Sequence, residues 1–228
     1  MKMDVNLRAI IEFYDANANV RRHSNAIKTL AHEELGVQVL VDYLGKKYGQ
    51  ASALDGACTA KGGGAWLDKW VHVRGEASEW RYQVEVKGWS FHGYGGKTAL
   101  PVNCPDPDLR KFMKEEFLRY WDPSRGRFHA LGIDKVLREM NSSFTGEVRP
   151  LACLWTPLHP QGNIDEPFFI VENVQGSPFQ QVAVFSVSSY LRQRVRAGDT
   201  SLPLDLPDTA ARLHHLNAIF SATQPEAV

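Results

Sequence analysis

Cysteine is scarce in this chain. Three residues of 228, Cys58, Cys104 and Cys153, are widely spaced and form no C-x-x-C pair. That argues against a disulfide framework and a structural zinc cluster, and reads as free thiols in a reducing compartment. Long hydrophobic runs are missing too: every apolar stretch is too short to span a bilayer. The first residues carry Asp4, Arg8, Glu12 and Asp15 and no apolar core, so no signal peptide is read and the cytoplasm is the expected location. Net charge is absent, with 26 Lys and Arg against 26 Asp and Glu. This argues against a protein that holds nucleic acid through bulk charge alone, though not against one with a local basic groove. Arg21-Arg22, Lys46-Lys47 and the run from Arg192 to Arg196 could supply such a groove, or simply be solvated faces. No internal repeat, low-complexity tract, nucleophile elbow, zincin helix or dinucleotide fingerprint occurs. The triplet Gly62-Gly63-Gly64 lacks the Lys-Ser/Thr of a phosphate loop, and reads as a flexible connection or a place of close backbone approach.

What is present is enough apolar material, 43% of residues, for one sizeable domain. The stretch Trp66 to Val73, a polar turn from Arg74 to Glu79, and Trp80 to Trp89 read as a hairpin. Side chains alternate along a strand. Tyr82, Val84 and Val86 therefore form a core face, and Arg81, Gln83, Glu85 and Lys87 the opposite row. If Asp68 lies beside the end of that row, two carboxylates and a lysine converge. Such a pair suits a hard divalent cation such as Mg²⁺, which can lower the pKa of a bound water, while the lysine orients the water or offsets developing charge.

Apolar residues at Leu7, Ile10, Ile11 and Tyr14 predict a helix over 5–15. Ser24 or Asn25 caps a second helix from about Ala26 to Tyr48, with Ile27, Leu30, Val37, Val41 and Leu44 on one stripe. Glu34 falls on that stripe, a costly place for a carboxylate unless it is paired or holds a metal. A short strand is expected over Ala51 to Leu54. Asp106-Pro107 starts a helix carrying Leu109, Phe112, Met113, Phe117, Tyr120 and Trp121, and another helix is expected over Phe128 to Met140. Val148 to Thr156 is nearly continuously apolar, the mark of a strand buried on both faces in a parallel pairing. Strands follow over Phe168 to Val174 and Gln181 to Val187, then a basic helix to Arg196 capped by Ser188 or Ser189. A loop spans Gly198 to Pro207, and a terminal helix covers 208–222.

Asp68 followed by Glu85-Val86-Lys87 resembles the PD-(D/E)xK nuclease superfamily, the restriction-endonuclease-like fold. The motif covers Asp68 to Lys87, and the compatible order of elements runs from about Ile27 to Arg194. Leu67 precedes Asp68 where the family often has proline. The resemblance implies an α/β fold with a central mixed sheet flanked by helices. Its αβββαβ core would lie at about 26–194 of a single domain 1–228, with extra C-terminal strands and helices and the helices 5–15 and 208–222 as additions. It implies Mg²⁺, with Mn²⁺ as a substitute, held by Asp68, Glu85, the Val86 carbonyl and an acid on the first core helix. Glu34 is the first choice for that acid and Glu33 the second; alternatively Glu34 sits at the stripe's margin and pairs with a lysine. The catalytic set is then Asp68, Glu85, Lys87 and Glu34. Apart from the resemblance, the glycine- and aromatic-rich loop after Lys87 offers Trp89, His92 and Lys97 to nucleic acid by stacking and backbone amides, or else its aromatics plug a minor core, and the basic helix offers Arg192, Arg194 and Arg196 to phosphates.

Three functions fit these residues. The first is a metal-dependent nuclease cutting DNA, or RNA, in restriction or defence, repair or mobile-element processing, as a homodimer or a subunit of a nucleoprotein complex. The second is a catalytically silent subunit of the same fold, serving nucleic-acid binding or assembly. The third is an unrelated α/β domain in which Glu85 and Lys87 form a surface ion pair worth under about 1 kcal/mol.

Overall fold

The structure is a computed structural model that describes residues 2–10, 21–56, 58–87, 106–112, 134–155, 159, 161–172, 174 and 177–220. A six-stranded mixed sheet organises them. Its strands are β2 (Gln50–Leu54), β5 (Lys69–Arg74), β6 (Glu79–Lys87), β7 (Glu147–Leu154), β8 (Phe168–Glu172) and β9 (Gln181–Ser186), in the spatial order β2-β5-β6-β7-β9-β8. Pairing is antiparallel through β2, β5 and β6, parallel from β6 to β7 and from β7 to β9, and antiparallel again at β8. A small ribbon, β3 (Cys58–Thr59) with β4 (Trp66–Leu67), lies between β2 and β5 in the chain.

Alternation decides which face each residue covers. Val71, Val73, Tyr82, Val84, Val86, Leu151, Cys153 and Phe185 pack against helix α1 (Arg21–Tyr48), which contributes Leu35, Val37, Val39, Leu40 and Leu44. Trp70, Ala152, Leu154, Val182 and Val184 build a second core on the other face, closed by Leu67, Val136, Leu137 and Met140. Each fully buried Val or Leu is worth roughly 1.5–3 kcal/mol. The continuous apolar run of β7 thus serves both cores, as its parallel neighbours require. Gly36 lets α1 come close: a Cβ there would lie 3.0 Å from Val86 Cγ1 and 3.3 Å from Trp155 Nε1.

Helix α1 is buried on a second side as well. Strand β1 (Lys2–Asn6) pairs antiparallel with β10 (Ser201–Asp205), and Leu7, Leu202, Leu204 and Leu206 join the core beneath α1. This corrects two expectations. Residues 5 and 6 belong to a strand, because Met3 and Val5 alternate with exposed Lys2, Asp4 and Asn6. The helix begins only at Leu7, with the Asn6 side chain accepting from Ala9 N at 3.0 Å. The segment expected as loop, Gly198 to Pro207, holds β10; Pro203 is tolerated in a two-stranded ribbon because its missing N–H is spared where only one side is paired.

Other boundaries also move. Helix α1 starts at Arg21 rather than Ala26. Asp106 does start a helix, α2 (Asp106–Phe112). Where a helix through Met140 is expected, Asp134–Leu137 makes one 3-10 turn, and Met140 bridges to Ala60. The rest of that prediction, like the segment after Phe112, lies outside the described residues. Helix α3 (Val187–Arg196) is capped by Ser186, whose hydroxyl accepts from Ser189 N at 3.2 Å, and not by Ser188 or Ser189. Helix α4 (Pro207–Phe220) follows β10. Cys58 and Cys153 are buried free thiols, and among the described residues no helix is long and apolar enough to cross a membrane.

Candidate functional site

The hairpin strand breaks at Asp68, and the break interrupts the ladder along β6. Asp68 N donates to Val84 O at 3.1 Å, and Asp68 Oδ2 accepts from Val86 N at 2.5 Å. The carboxylate thus takes the place in the ladder that a further strand residue would fill. Along a strand, successive residues turn their N–H and C=O to opposite sides. Val84 and Val86 both address the β5 side, so the Val86 carbonyl faces the edge that Asp68 occupies.

Glu85 points to the other face of β6, with Gln83 and Lys87. Its side chain is 1% exposed, so the Glu85–Lys87 pair is not the surface ion pair of the third reading. Oε1 accepts from Lys87 Nζ and, at 2.9 Å, from Lys135 Nζ. Oε2 is buried and has no hydrogen-bond partner among the described residues. A buried carboxylate oxygen left unsatisfied costs on the order of 1–3 kcal/mol or more, so this one is available to a cation.

Lys135 escaped the sequence reading. It sits on the 3-10 turn, which is fixed by buried Gln83: Nε2 donates to both Val136 O and Arg138 O at 2.6 Å. Lys135 Nζ also reaches Trp66 O at 3.3 Å. The signal available was Gln83 itself, an amide in the buried row beside Glu85 that had to find backbone partners across the crossover.

Asp68 is held in tension. Burial pushes its carboxyl up to about 7; the charge of Glu85 pushes the same way, the Val86 N–H opposes, Glu33 adds to the rise and Lys87 offsets it. Glu85 and Glu33 thus bear on the Asp68 carboxylate with their negative charge and Lys87 with its positive charge. The Cys58 thiol is pushed up to about 12 by burial and then by Asp68 and Glu85, which keeps it neutral and unsuited to act as a nucleophile or soft ligand. Burial and then Asp68 raise Cys153 as well.

Glu34 does not join this group. Its Oε1 accepts from Asp208 N at 2.9 Å, and its Oε2 from Thr209 N at 2.6 Å and from Thr209 Oγ1 at 2.5 Å. These are amides of the first turn of α4, which have no partner within their own helix. Because α1 is buried on two sides, the margin of its stripe meets the start of α4 rather than the sheet edge. Glu33, the second choice, is the α1 acid coupled to Asp68. Glu34→Ala is expected to lower stability by about 1–2 kcal/mol, read by urea unfolding, with activity per folded molecule unchanged. Lost activity at full stability would return Glu34 to the site.

The basic helix also differs from expectation. Arg194 Nε binds Asp199 Oδ2 at 2.5 Å, with Asp42 3.7 Å from Nη1, and Arg196 pairs with Asp165. Arg192 is half-buried. The charges of Arg194 and Arg196 are therefore matched by neighbouring carboxylates instead of forming an open phosphate-facing row. Trp89, His92 and Lys97 lie outside the described residues. No protein-family model, curated protein or solved structure matches this chain.

Among the described residues no three or more His, Cys, Asp and Glu side chains cluster closely enough to hold an ion. The donors on offer are two carboxylates, one main-chain oxygen and water. That is a hard, oxygen-only set of low protein count, the kind Mg²⁺ accepts because it keeps several waters. The orphaned Glu85 Oε2 and the buried Asp68, with negative charges beside it, fit such a cation.

Proposed function

We propose that this chain is a metal-dependent nuclease hydrolysing phosphodiester bonds in DNA. The observation that carries the reading is Glu85: a carboxylate buried to 1% exposure, one oxygen shared by two lysines and the other without a partner among the described residues, electrostatically coupled to Asp68. The helix, the antiparallel meander β2-β5-β6 and the parallel strand β7 follow the order that the PD-(D/E)xK resemblance implies, which supports it further.

Asp68, Glu85 and the Val86 carbonyl would hold Mg²⁺ or Mn²⁺, with Glu33 reaching it through water. A bound divalent ion supplies charge neutralisation and a water acidic enough to attack. Lys87 is fixed by Glu85, so its ammonium stands ready to orient that water or to meet negative charge developing on the phosphate. Lys135 adds a second ammonium on the same carboxylate. Asp68 must lose its proton before it can serve, which ties activity to pH.

A second reading, a silent subunit of the same fold, draws on Lys135: two ammoniums on Glu85 Oε1 offset its charge without any metal. The two part company when purified protein is incubated with DNA, and separately RNA, in Mg²⁺ or Mn²⁺ beside Lys87→Ala. Metal-dependent cleavage lost in the variant supports the nuclease. Equal cleavage by both proteins points to another site, and metal binding without cleavage of either polymer favours the silent subunit.

A further inference from the structure

We infer that the exposed indole of Trp66 is a stacking platform for an unpaired base, which makes single-stranded or flapped nucleic acid the preferred substrate of the carboxylate site. The inference rests on the reading of Asp68, Glu85 and Lys87 as a nucleic-acid site and adds what that reading leaves open, the strandedness of the substrate.

Trp66 is 66% exposed, the most exposed of the large hydrophobic residues described. Its neighbour Leu67 is buried in the second core, so the backbone is anchored while the indole projects outward. Trp66 lies two residues before Asp68, and its carbonyl accepts from the same Lys135 ammonium that binds Glu85. The main chain of Trp66, one lysine and the buried carboxylate are therefore linked by direct contacts, and the indole leaves from that anchored backbone. An isolated exposed tryptophan needs no explanation; one tied to a candidate phosphodiester site does.

The ribbon that carries it is tied down by hydrogen bonds on both sides. Thr59 pairs with Trp66, and residues 139–141 strap the other side: Lys61 N donates to Glu139 O at 2.9 Å, and Asn141 N to Thr59 O at 2.7 Å. Asn141 Nδ2 donates to Thr59 Oγ1 at 3.1 Å, and Lys61 pairs with Glu139 at 3.0 Å. The tip, Gly62-Gly63-Gly64, has φ of 83°, 82° and 79°, and a Cβ at any of the three would meet nothing within 4 Å. These glycines are required by conformation, not by crowding, and they leave bare backbone beside the platform. A base in a duplex keeps both faces stacked on its neighbours, so only an unpaired base offers a face to an indole on the surface. Stacking on an aromatic side chain is independent of sequence, and it supplies binding that a chain of zero net charge cannot draw from bulk electrostatics.

The test measures binding on a Lys87→Ala background in Mg²⁺, so that cleavage does not consume the probe. Labelled oligo-dT and a duplex of equal length are titrated against Lys87→Ala alone and combined with Trp66→Ala or Trp66→Phe. Trp66→Ala is expected to weaken oligo-dT binding by roughly 5- to 100-fold and to leave the duplex unchanged, with Trp66→Phe near the parent. The indole packs against little, so the variants fold; circular dichroism checks this. Equal oligo-dT binding by the parent and Trp66→Ala, or equal losses on both probes, overturns the platform. Cleavage by otherwise wild-type protein separates the two ideas. Metal-dependent cleavage with an unchanged KM in Trp66→Ala removes the platform and keeps the nuclease. Absent cleavage, with Trp66-dependent binding of oligo-dT intact, removes the nuclease and keeps the platform.

Discussion

Glu85→Gln is expected to lower metal-dependent cleavage by about 10²–10³-fold or more, the scale on which removing one group that stabilises developing charge is felt. Glutamine keeps the shape of the side chain and an oxygen for Lys87 and Lys135, but loses the negative charge that would make Oε2 a ligand. The fold should suffer less than for most buried charges. Removing one member of a fully buried ion pair costs about 3–5 kcal/mol, because the other charge stays stranded. Here Lys87 is 23% and Lys135 38% exposed, so both ammoniums can turn to water. Circular dichroism and urea unfolding should show a folded protein, calorimetry with Mg²⁺ a lost or much weakened binding isotherm, and the cleavage assay a loss far larger than the stability change. A glutamine variant that cuts at the parent rate would mean that Glu85 serves only to seat two lysines, and the metal site would have to be sought elsewhere.

Much of this site can be read from residue order because strand alternation is a strong constraint. Tyr82, Val84 and Val86 on one face leave Gln83, Glu85 and Lys87 on the other, and Asp68 beside the open end follows from the length of the connecting turn. The apolar run of β7 forces burial on both faces, and with it a central parallel position. What escaped depends on packing between distant segments. Glu33 and Glu34 are neighbours on one helix, and only the arrival of α4 on the far side of α1 decides which carboxylate is drawn away. The β1–β10 ribbon pairs residues some two hundred positions apart, and its proline-containing strand reads locally as a loop. Lys135 reaches Glu85 only because Gln83 ties down a turn more than fifty residues later in the chain.

The pH dependence of stability is the sharpest probe of Asp68, and its sign is fixed by the direction of the shift. The carboxyl titrates near 7 in the folded protein against an ordinary value of 3.8. Between those values the native state holds a proton that the unfolded chain has released, so stability falls as pH rises through that window and the contribution is gone above it. A carboxyl raised that far costs at most ~4 kcal/mol, and partial exposure of the side chain reduces this to about 2 kcal/mol. In metal-free protein, Asp68→Asn should therefore match the parent near pH 4 and be more stable at pH 8, by roughly 4–8 °C in Tm for a chain of this size. The asparagine oxygen can still accept from Val86 N, so the comparison isolates the charge. Magnesium should reverse the order: it stabilises only the deprotonated parent, its affinity should fall as pH drops below about 7, and binding near that pH should release a proton to the buffer. The whole difference lies in one carboxylate kept beside Glu85 and Glu33 at a standing cost, which is what a site poised to take up a cation requires. If the parent and Asp68→Asn show the same Tm at pH 8, with and without Mg²⁺, Asp68 is an ordinary residue at a strand break and the cation has no seat there.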